Sequence, residues 1–184
     1  MKFINTPFDG VILIEPDVFR DERGFFLETF HAAKYHEGGV DARFVQDNHS
    51  RSARGTIRGL HAQRRHPQGK LVRALTGSIF DVVVDIRRGS PNYLRWLSFE
   101  LSGDNFRQLY IPPGYAHGLC VTSDFAELEY KCTDFYDPHD ELRIAWNDPQ
   151  IGVQWPAREP ALSPKDRDAQ RIEAQIDLLP MIAG

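Results

Sequence analysis

The sequence predicts an all-β fold of antiparallel strands, arranged as a sandwich or a barrel. Its 184 residues fall mostly into short apolar runs that Gly, Pro, Asn and Asp interrupt. Strands separated by short turn signals are typical of such folds. Helical patterns are confined to residues 28–37 and to the segment that begins at Ser163. No internal repeat, low-complexity linker or change in composition divides the chain, so residues 1–184 are expected to form one domain.

The expected strands follow one another along most of the chain. The first apolar run ends at Pro16, and Thr76-Gly77-Ser78 is typical of a hairpin turn between two longer runs. In chain order, the expected strands are residues 11–15, 25–30, 44–49, 56–63, 71–75, 79–86, 96–101, 107–111, 118–122, 126–135 and 143–146.

A short C-terminal helical segment completes the prediction. Ser163 is a suitable N-cap, Pro164 fits the first helical position, and Asp166 falls in the first turn. We expect this helix to run toward Leu178 and to end by Pro180.

The composition indicates a soluble protein in a reducing compartment. The formal net charge is -4, and the mean hydropathy is -0.44. No apolar run approaches the roughly 20 residues that a membrane helix needs, and the first ten residues lack the apolar core of a signal peptide. Two cysteines, Cys120 and Cys132, are too few for a disulfide framework and are expected to be buried thiols. We therefore expect a cytoplasmic protein without a membrane partner.

One basic segment stands out in this acidic chain. Residues 48–80 contain no acidic side chain. Such a segment indicates either an anionic ligand or a solvated, arginine-rich edge. Nucleic acid is disfavoured as a partner, because stacking aromatics are not interleaved with these cations. The basic residues of the segment are Arg51, Arg54, Arg58, Arg64, Arg65, Lys70 and Arg73.

Side-chain alternation orients the strand predicted near residue 130. Ala126, Leu128, Tyr130 and Cys132 share one face, and the intervening charged residues share the other. Tyr130 therefore points inward with the apolar set. A buried phenol needs a hydrogen-bond partner, so Tyr130 is either a satisfied core residue or a reactive group at a cavity.

Two segments carry histidines within glycine-containing motifs. They are Gly59-Leu60-His61-Ala62-Gln63 and residues 112–118, with the sequence PPGYAHG. These segments resemble the paired motifs of cupin jelly-roll barrels. Many cupins bind a metal through two histidines of the first motif and one of the second. Here Gln63 replaces the second histidine, and a carboxamide is a poor ligand for a transition metal. His61 and His117 alone do not complete a metal site, so no metal is predicted.

Without a metal, His61 is available for acid–base chemistry near neutral pH. Lys70 and the nearby arginines favour a neutral imidazole and stabilise an adjacent anion. A base, an inward phenol and a cation are the groups required to remove a proton beside a carbonyl. Spacing alone leaves open that these three residues are unrelated.

Longer segments make the relationship more specific. They extend from about Val11 to Asp166 and are DERGFF (residues 21–26), FVQDNHS (44–50), RGLH (58–61), QGKLVR (68–73), FDVVVDIR (80–87), residues 111–118, EYK (129–131), WNDP (146–149) and LSPKD (162–166). Together these segments resemble the dTDP-4-dehydrorhamnose 3,5-epimerase family.

The resemblance implies a homodimeric cupin-like jelly roll that uses no cofactor and no metal. It implies an isomerase of dTDP-rhamnose synthesis, a route to carbohydrates such as lipopolysaccharide O-antigen, which inverts C3 and C5 of dTDP-4-dehydro-6-deoxyglucose. The general base of the family matches His61, and the general acid matches Tyr130. The carboxylate that orients the base matches Asp166, and the lysine that stabilises the enolate matches Lys70.

The resemblance also implies a substrate-binding set, some of which the partner subunit contributes through strand exchange. Phe26 and Tyr136 match aromatics at the thymine ring. The other substrate-binding positions, besides Lys70, are Arg23, Glu28, Gln46, Asp47, Asn48, Arg58, His117, Glu141 and Lys165.

Two details of the first motif lead to further expectations. Strict alternation places Arg58 and His61 on opposite faces, and a bulge at Gly59 would bring both to one site. Ala62 stands where the family usually has a large aromatic residue, which bears on the accepted sugar. The alternatives to a double epimerase are a single-position epimerase, a ketoisomerase, a non-catalytic sugar-nucleotide binder and a metal-dependent cupin oxygenase. A tyrosine at position 130 favours epimerisation over ketone migration.

Overall fold

The computed structural model describes residues 1–182, so residues 183–184 of the predicted domain lie outside it. Its strands are antiparallel, as predicted, and form two main sheets and one small ribbon. The strands are β1 (Lys2–Asn5), β2 (Ile12–Glu15), β3 (Val18–Asp21), β4 (Gly24–Leu27), β5 (Gln46–Ala53), β6 (Ile57–Gln63), β7 (Lys70–Thr76), β8 (Ser78–Asp85), β9 (Trp96–Ser102), β10 (Gln108–Ile111), β11 (Tyr115–Val121), β12 (Phe125–Cys132) and β13 (Glu141–Arg143).

The two main sheets face each other as a cupin-like jelly roll. One has six strands in the order β1-β2-β10-β7-β12-β5, and the other has five in the order β13-β6-β11-β8-β9. Strands that are distant in sequence are neighbours in both sheets, which is how a jelly roll closes around an interior. The remaining pair, β3 and β4, forms a separate two-stranded ribbon.

Apolar side chains pack between the sheets and against both outer faces. The inner core joins Val72 and Leu128 of the six-stranded sheet to Ile79 and Val83 of the five-stranded sheet. This arrangement follows from alternation, because every second residue of these strands points inward. The C-terminal segment covers the outer face of the five-stranded sheet, where Ile172 is buried among its apolar residues.

All eleven predicted strands correspond to observed strands, with bounds that shift by a few residues. The prediction missed β1 and β3. Both are mostly exposed four-residue strands, and β3 pairs only with β4. Neither therefore carries the apolar pattern of a buried strand.

The C-terminal helix is shorter than predicted. Ser163 is the N-cap and Pro164 begins the helix as expected, but helix α2 ends after four residues (Pro164–Arg167). Next, Gln170 forms a bridge with Ile144 and its carbonyl accepts a hydrogen bond from the Ala145 amide at 2.9 Å, which draws the chain out of the helix. A 3₁₀ helix follows over Ile172–Leu178.

The predicted helix at residues 28–37 is also shorter, because helix α1 spans Ala32–Glu37. Its buried Tyr35 packs against the outer face of the six-stranded sheet, in a cluster with Ile12 and Ile14. Among residues 1–182, no helix combines the length and the hydropathy needed to cross a membrane.

A bulge at Gly59 brings Arg58 and His61 to the same cavity, as predicted. Opposite this point, the pairing of β11 with β6 shifts register between His117 and Leu119. Gly59 has φ of 123°, a conformation that side chains disfavour. A Cβ atom at Gly59 would lie 2.5 Å from Gly118 Cα and 2.7 Å from the His117 carbonyl oxygen.

Replacing Gly59 with alanine is therefore expected to destabilise the fold. Both the positive φ and the contact with backbone atoms oppose a side chain, and such strain costs about 1–3 kcal/mol or more. Chemical denaturation of Gly59→Ala beside the parent measures this loss. Gly55→Ala is the matched control, because Gly55 also has positive φ, at 75°, but has no heavy atom within 4 Å of the added Cβ. Equal stability losses in the two variants would contradict the close-contact part of the argument.

Candidate active site

A cavity of about 590 Å³ lies between the two sheets. Its walls come from both of them, so groups on opposite walls can reach opposite faces of a bound molecule. His61 on β6 and His117 on β11 lie on the five-stranded wall, where they are directly paired across the strands. Lys70 on β7 and Tyr130 on β12 lie on the six-stranded wall.

His61 and Asp166 form a dyad at the cavity wall. His61 Nε2 lies 2.5 Å from Asp166 Oδ1, and Ser163 Oγ donates to Asp166 Oδ2 at 2.7 Å. A carboxylate only accepts hydrogen bonds, so Nε2 carries the proton and Nδ1 is the basic nitrogen of His61. The N-cap Ser163 and the short helix α2 thus hold the carboxylate that orients the ring.

Opposing effects set the proton affinity of this dyad. Burial lowers the pKa of His61 below its ordinary value, although the hydrogen bond and charge of Asp166 and the charge of Glu141 oppose that effect. Burial by itself raises the pKa of Asp166, but the bonds from His61 and Ser163 bring it below its ordinary value. The dyad is therefore a neutral imidazole beside a carboxylate, the state that a general base requires.

Lys70 faces the same cavity from the opposite sheet. Among residues 1–182, no carboxylate lies within ion-pair distance of its Nζ. Burial lowers its pKa, whereas Cys132, Glu141 and Asp81 act to raise it. A cation without a paired carboxylate is available to an anion that forms in the cavity.

Tyr130 points inward, as its alternation predicts. Ala126, Leu128 and Cys132 on the same face of β12 are buried, and Tyr130 lines the cavity. Burial raises the pKa of the Tyr130 hydroxyl above its ordinary value, so this phenol holds its proton. The structure therefore supports the reading of Tyr130 as a group that faces a cavity.

Polar side chains on β5, β6 and β13 form the rest of the site. Arg58 Nε donates to Ser52 Oγ at 2.9 Å, and Gln46 Nε2 donates to Asn48 Oδ1 at 3.0 Å. At the mouth, Lys165 Nζ donates to Glu141 Oε1 at 2.8 Å and lies 5.8 Å from the ring centroid of Tyr136. The predicted residues that line this cavity are His61, Lys70, Tyr130, Asp166, Gln46, Asn48, Arg58, His117, Tyr136, Glu141 and Lys165.

Four predicted substrate-binding residues lie outside this cavity. Arg23 and Phe26 are on the exposed β3–β4 ribbon, where Arg23 pairs with Asp21. Glu28 pairs with Lys34 at 2.7 Å, and the exposed Asp47 pairs with Lys131 on the outward face of β12. Within one chain, the structure does not bring these four residues to the dyad.

Two functional candidates were missing from the predicted set. Ser163 was expected only as a helix cap, yet it also bonds to the carboxylate of the dyad. Asp81, which was not assigned to the site, is buried, and its Oδ2 lies 2.8 Å from His117 Nε2. A carboxylate inside the apolar run of residues 79–84 was the available signal.

The donor groups do not converge as a metal site would require. Among residues 1–182, no cluster of three or more His, Cys, Asp or Glu could hold a metal ion. Gln63, at the position of the second cupin histidine, bonds instead to the backbone of the adjacent loops. Its amide nitrogen donates to the His66 carbonyl at 2.9 Å, and its oxygen accepts from the Asp137 amide at 2.7 Å.

The fold and the site indicate a cupin-like isomerase. The family model described as dTDP-4-dehydrorhamnose 3,5-epimerase matches residues 5–174. The chain belongs to this family.

Individual relatives agree with this assignment. The dTDP-4-dehydrorhamnose 3,5-epimerase of Pseudomonas aeruginosa is 50% identical over 182 residues, which cover 98% of this chain and 100% of the relative. A crystal structure of the Legionella pneumophila 3,5-epimerase in complex with dTDP-4-keto-L-rhamnose has a TM-score of 0.95 and 48% identity, covering 100% of this chain and 99% of that one. A dTDP-4-dehydrorhamnose 3-epimerase from Streptomyces niveus is 40% identical over 187 residues, covering 100% of this chain and 90% of the relative.

Proposed function

We propose that this epimerase converts dTDP-4-dehydro-6-deoxy-D-glucose into dTDP-4-dehydro-L-rhamnose by inverting C3 and C5 without a cofactor. The observation that carries the proposal is the His61–Asp166 dyad on one wall of a cavity that Lys70 and Tyr130 line from the other. The product-bound relative from L. pneumophila, which covers this whole chain, supports the same substrate.

The first chemical step is proton removal beside the C4 ketone. His61 Nδ1 takes the proton, and the electron pair of the C–H bond moves to the C4 oxygen to form an enolate. Lys70 stabilises the negative charge on this oxygen, which matters because a proton alpha to a ketone is only weakly acidic. Asp166 stabilises the imidazolium that results.

The second step returns a proton to the opposite face of the same carbon. His61 and Tyr130 stand on opposing sheets, so a sugar bound between them meets the base on one face and the phenol on the other. Tyr130 donates its proton to the carbon as the enolate collapses to the ketone. Tyr130 then regains a proton from solvent and His61 releases its extra proton to solvent, and repetition at the second carbon completes the double inversion.

Proton NMR in deuterated water tests this function. The parent is expected to introduce deuterium at both C3 and C5 of dTDP-4-dehydro-6-deoxyglucose, and a reductase can trap the product as dTDP-rhamnose. Deuterium at a single carbon would instead indicate a single-position epimerase, which is the activity named for the S. niveus relative. Absence of exchange at both carbons would contradict the substrate assignment.

We also propose that the protein is a homodimer in which the β3–β4 ribbon reaches the cavity of the partner. The ribbon lies outside the main sheets, and its Phe19 and Phe26 are 64% and 69% exposed. Neighbouring exposed aromatic side chains are unfavourable in water and are typical of a surface that binds another molecule. Such an exchange would bring Arg23, Phe26 and Glu28 to a dTDP-sugar in the partner. Sedimentation equilibrium tests the dimer, and a monomer at micromolar concentration would contradict it.

Because Cys120 and Cys132 are buried free thiols, we also propose that the protein is located in the reducing cytoplasm.

The pH profile of kcat/KM is expected to be bell-shaped, with an acid limb that reflects His61. The base must be neutral, and burial holds the pKa of His61 below its ordinary value, so activity should persist to lower pH than a free imidazole allows. Asp166 acts to raise this pKa. Asp166→Asn is therefore expected to move the acid limb to still lower pH while it reduces the plateau. An acid limb that moves to higher pH in this variant would contradict the assigned base.

A further inference from the structure

Beside the catalytic dyad lies a second pair of a histidine and a carboxylate. His117 is directly opposite His61 on the neighbouring strand and lines the same cavity. Its Nε2 lies 2.8 Å from Oδ2 of Asp81 on β8, the next strand of the sheet. The adjacent strands β6 and β11 thus hold two imidazoles side by side. Each ring bonds through Nε2 to a buried carboxylate, Asp166 for His61 and Asp81 for His117.

The bonding of Asp81 is unusual for a buried carboxylate. Its side chain is 0% exposed, and its Oδ1 has no hydrogen-bond partner among residues 1–182. A buried charge without full pairing costs stability, so its presence in this fold calls for an explanation. Its charge also reaches the cavity, because it is among the groups, after Cys132 and Glu141, that act to raise the pKa of Lys70.

Asp148 shows how this chain satisfies a carboxylate that is purely structural. It is also buried, but both of its oxygens accept hydrogen bonds from backbone amides. Oδ1 accepts from Gln150 at 2.9 Å, and Oδ2 accepts from Ile172 at 2.7 Å. Asp148 ties two loops together, whereas Asp81 bonds to one cavity-lining ring and to no backbone group among the described residues.

We propose that Asp81 is a positioning residue that acts through His117. By accepting the Nε2 proton in a hydrogen bond, it fixes the orientation and tautomer of the ring and leaves Nδ1 as an acceptor. The cavity then offers the sugar an oriented imidazole beside the His61 base, suited to accept a hydrogen bond from a sugar hydroxyl. This inference rests on the proposed function for the identity of the ligand, although the link between Asp81 and His117 is a property of the free protein.

The test compares Asp81→Asn, His117→Asn and the double variant with the parent in the exchange assay. Replacement of the charged acceptor by a neutral amide, which no longer fixes the tautomer of His117, is expected to raise KM for the nucleotide sugar by about 10- to 100-fold in Asp81→Asn, with kcat within a few-fold of the parent. Because Asp81 acts through His117, the double variant should be no worse than His117→Asn alone. The thermal midpoint of Asp81→Asn should equal or exceed that of the parent.

A matched control and a spectroscopic measurement separate positioning from a structural role. Asp148→Asn is expected to lower the thermal midpoint while the folded protein keeps the parental kcat/KM. Long-range ¹⁵N–¹H NMR of the free protein should show that His117 of the parent is protonated at Nε2. In Asp81→Asn the signals of the His117 ring nitrogens should be shifted. An unchanged His117 signal and KM in Asp81→Asn, or additive losses in the double variant, would overturn the inference. A parent that fails to exchange deuterium would contradict the proposed function alone, since the His117 signal would still test the link to Asp81.

Discussion

His61→Asn is expected to abolish deuterium exchange at C3 and C5 for practical purposes. The variant removes Nδ1, the atom to which the structure assigns the basic lone pair, and a positioned general base contributes about 10²–10⁴-fold to the rate. Asparagine is preferred to alanine because its amide can still donate to Asp166, which is 3% exposed and would otherwise lose its imidazole partner. Integration of the C3 and C5 proton signals against time gives the rate.

The control for this result is an exposed histidine with no place in the cavity. His139→Asn carries the same chemical change on the surface and should match the parent in rate and in thermal midpoint. If His61→Asn stayed within tenfold of the parent while it remained folded, the dyad could not be the base. Exchange lost at only one carbon would show that another group serves the other position.

Lys70→Met is expected to reduce kcat by about 10²–10³-fold while the fold keeps its stability. In the proposed mechanism this cation stabilises the enolate oxygen, and the expected size of the loss follows other donors to developing oxyanions. Methionine retains the length and apolar stem of lysine. Because burial lowers the pKa of Lys70, its charged form is disfavoured in the cavity, and the thermal midpoint should be equal to or above that of the parent.

A gain in stability together with a loss of activity would distinguish a functional lysine from a structural one. Lys2→Met, on the exposed face of β1, is the control for a change of charge alone and should leave kcat unaltered. If Lys70→Met lowered the thermal midpoint and left kcat intact, the enolate role would be wrong. The kcat and the thermal midpoint are measured on the same preparation of each variant, so the two values can be compared directly.

Much of the fold could be predicted from the sequence, because the local alternation of apolar and polar residues matches the faces that the strands present in the sheets. Alternation along β12 correctly placed Tyr130 on the interior face, and the glycine at position 59 correctly marked the bulge. The N-cap Ser163 and Pro164 were likewise predicted. The length of the C-terminal helix was not, because the bridge between Gln170 and Ile144 is a contact between distant segments that no local pattern reveals.

The site was predicted in part for a similar reason. Residues whose strands line the interior came together, because strand register carries them there. Asp81 was not assigned to the site because the sequence does not show which group its carboxylate bonds to, and the contact with His117 depends on the two residues lying on adjacent strands. Arg23 and Phe26 remain outside the cavity of their own chain, and the ribbon exchange proposed for them requires a second subunit.

The separation of 105 residues between His61 and Asp166 has a consequence for how activity is acquired during synthesis. When the ribosome has completed β13, every strand of both sheets has been made, yet the carboxylate that orients the base is still untranslated. A nascent chain therefore holds an unoriented imidazole until residue 166 emerges. By the same reasoning, a protease that cut between Trp155 and Ser163 and released the tail would remove the carboxylate that bonds to His61 together with the segment that covers the five-stranded sheet.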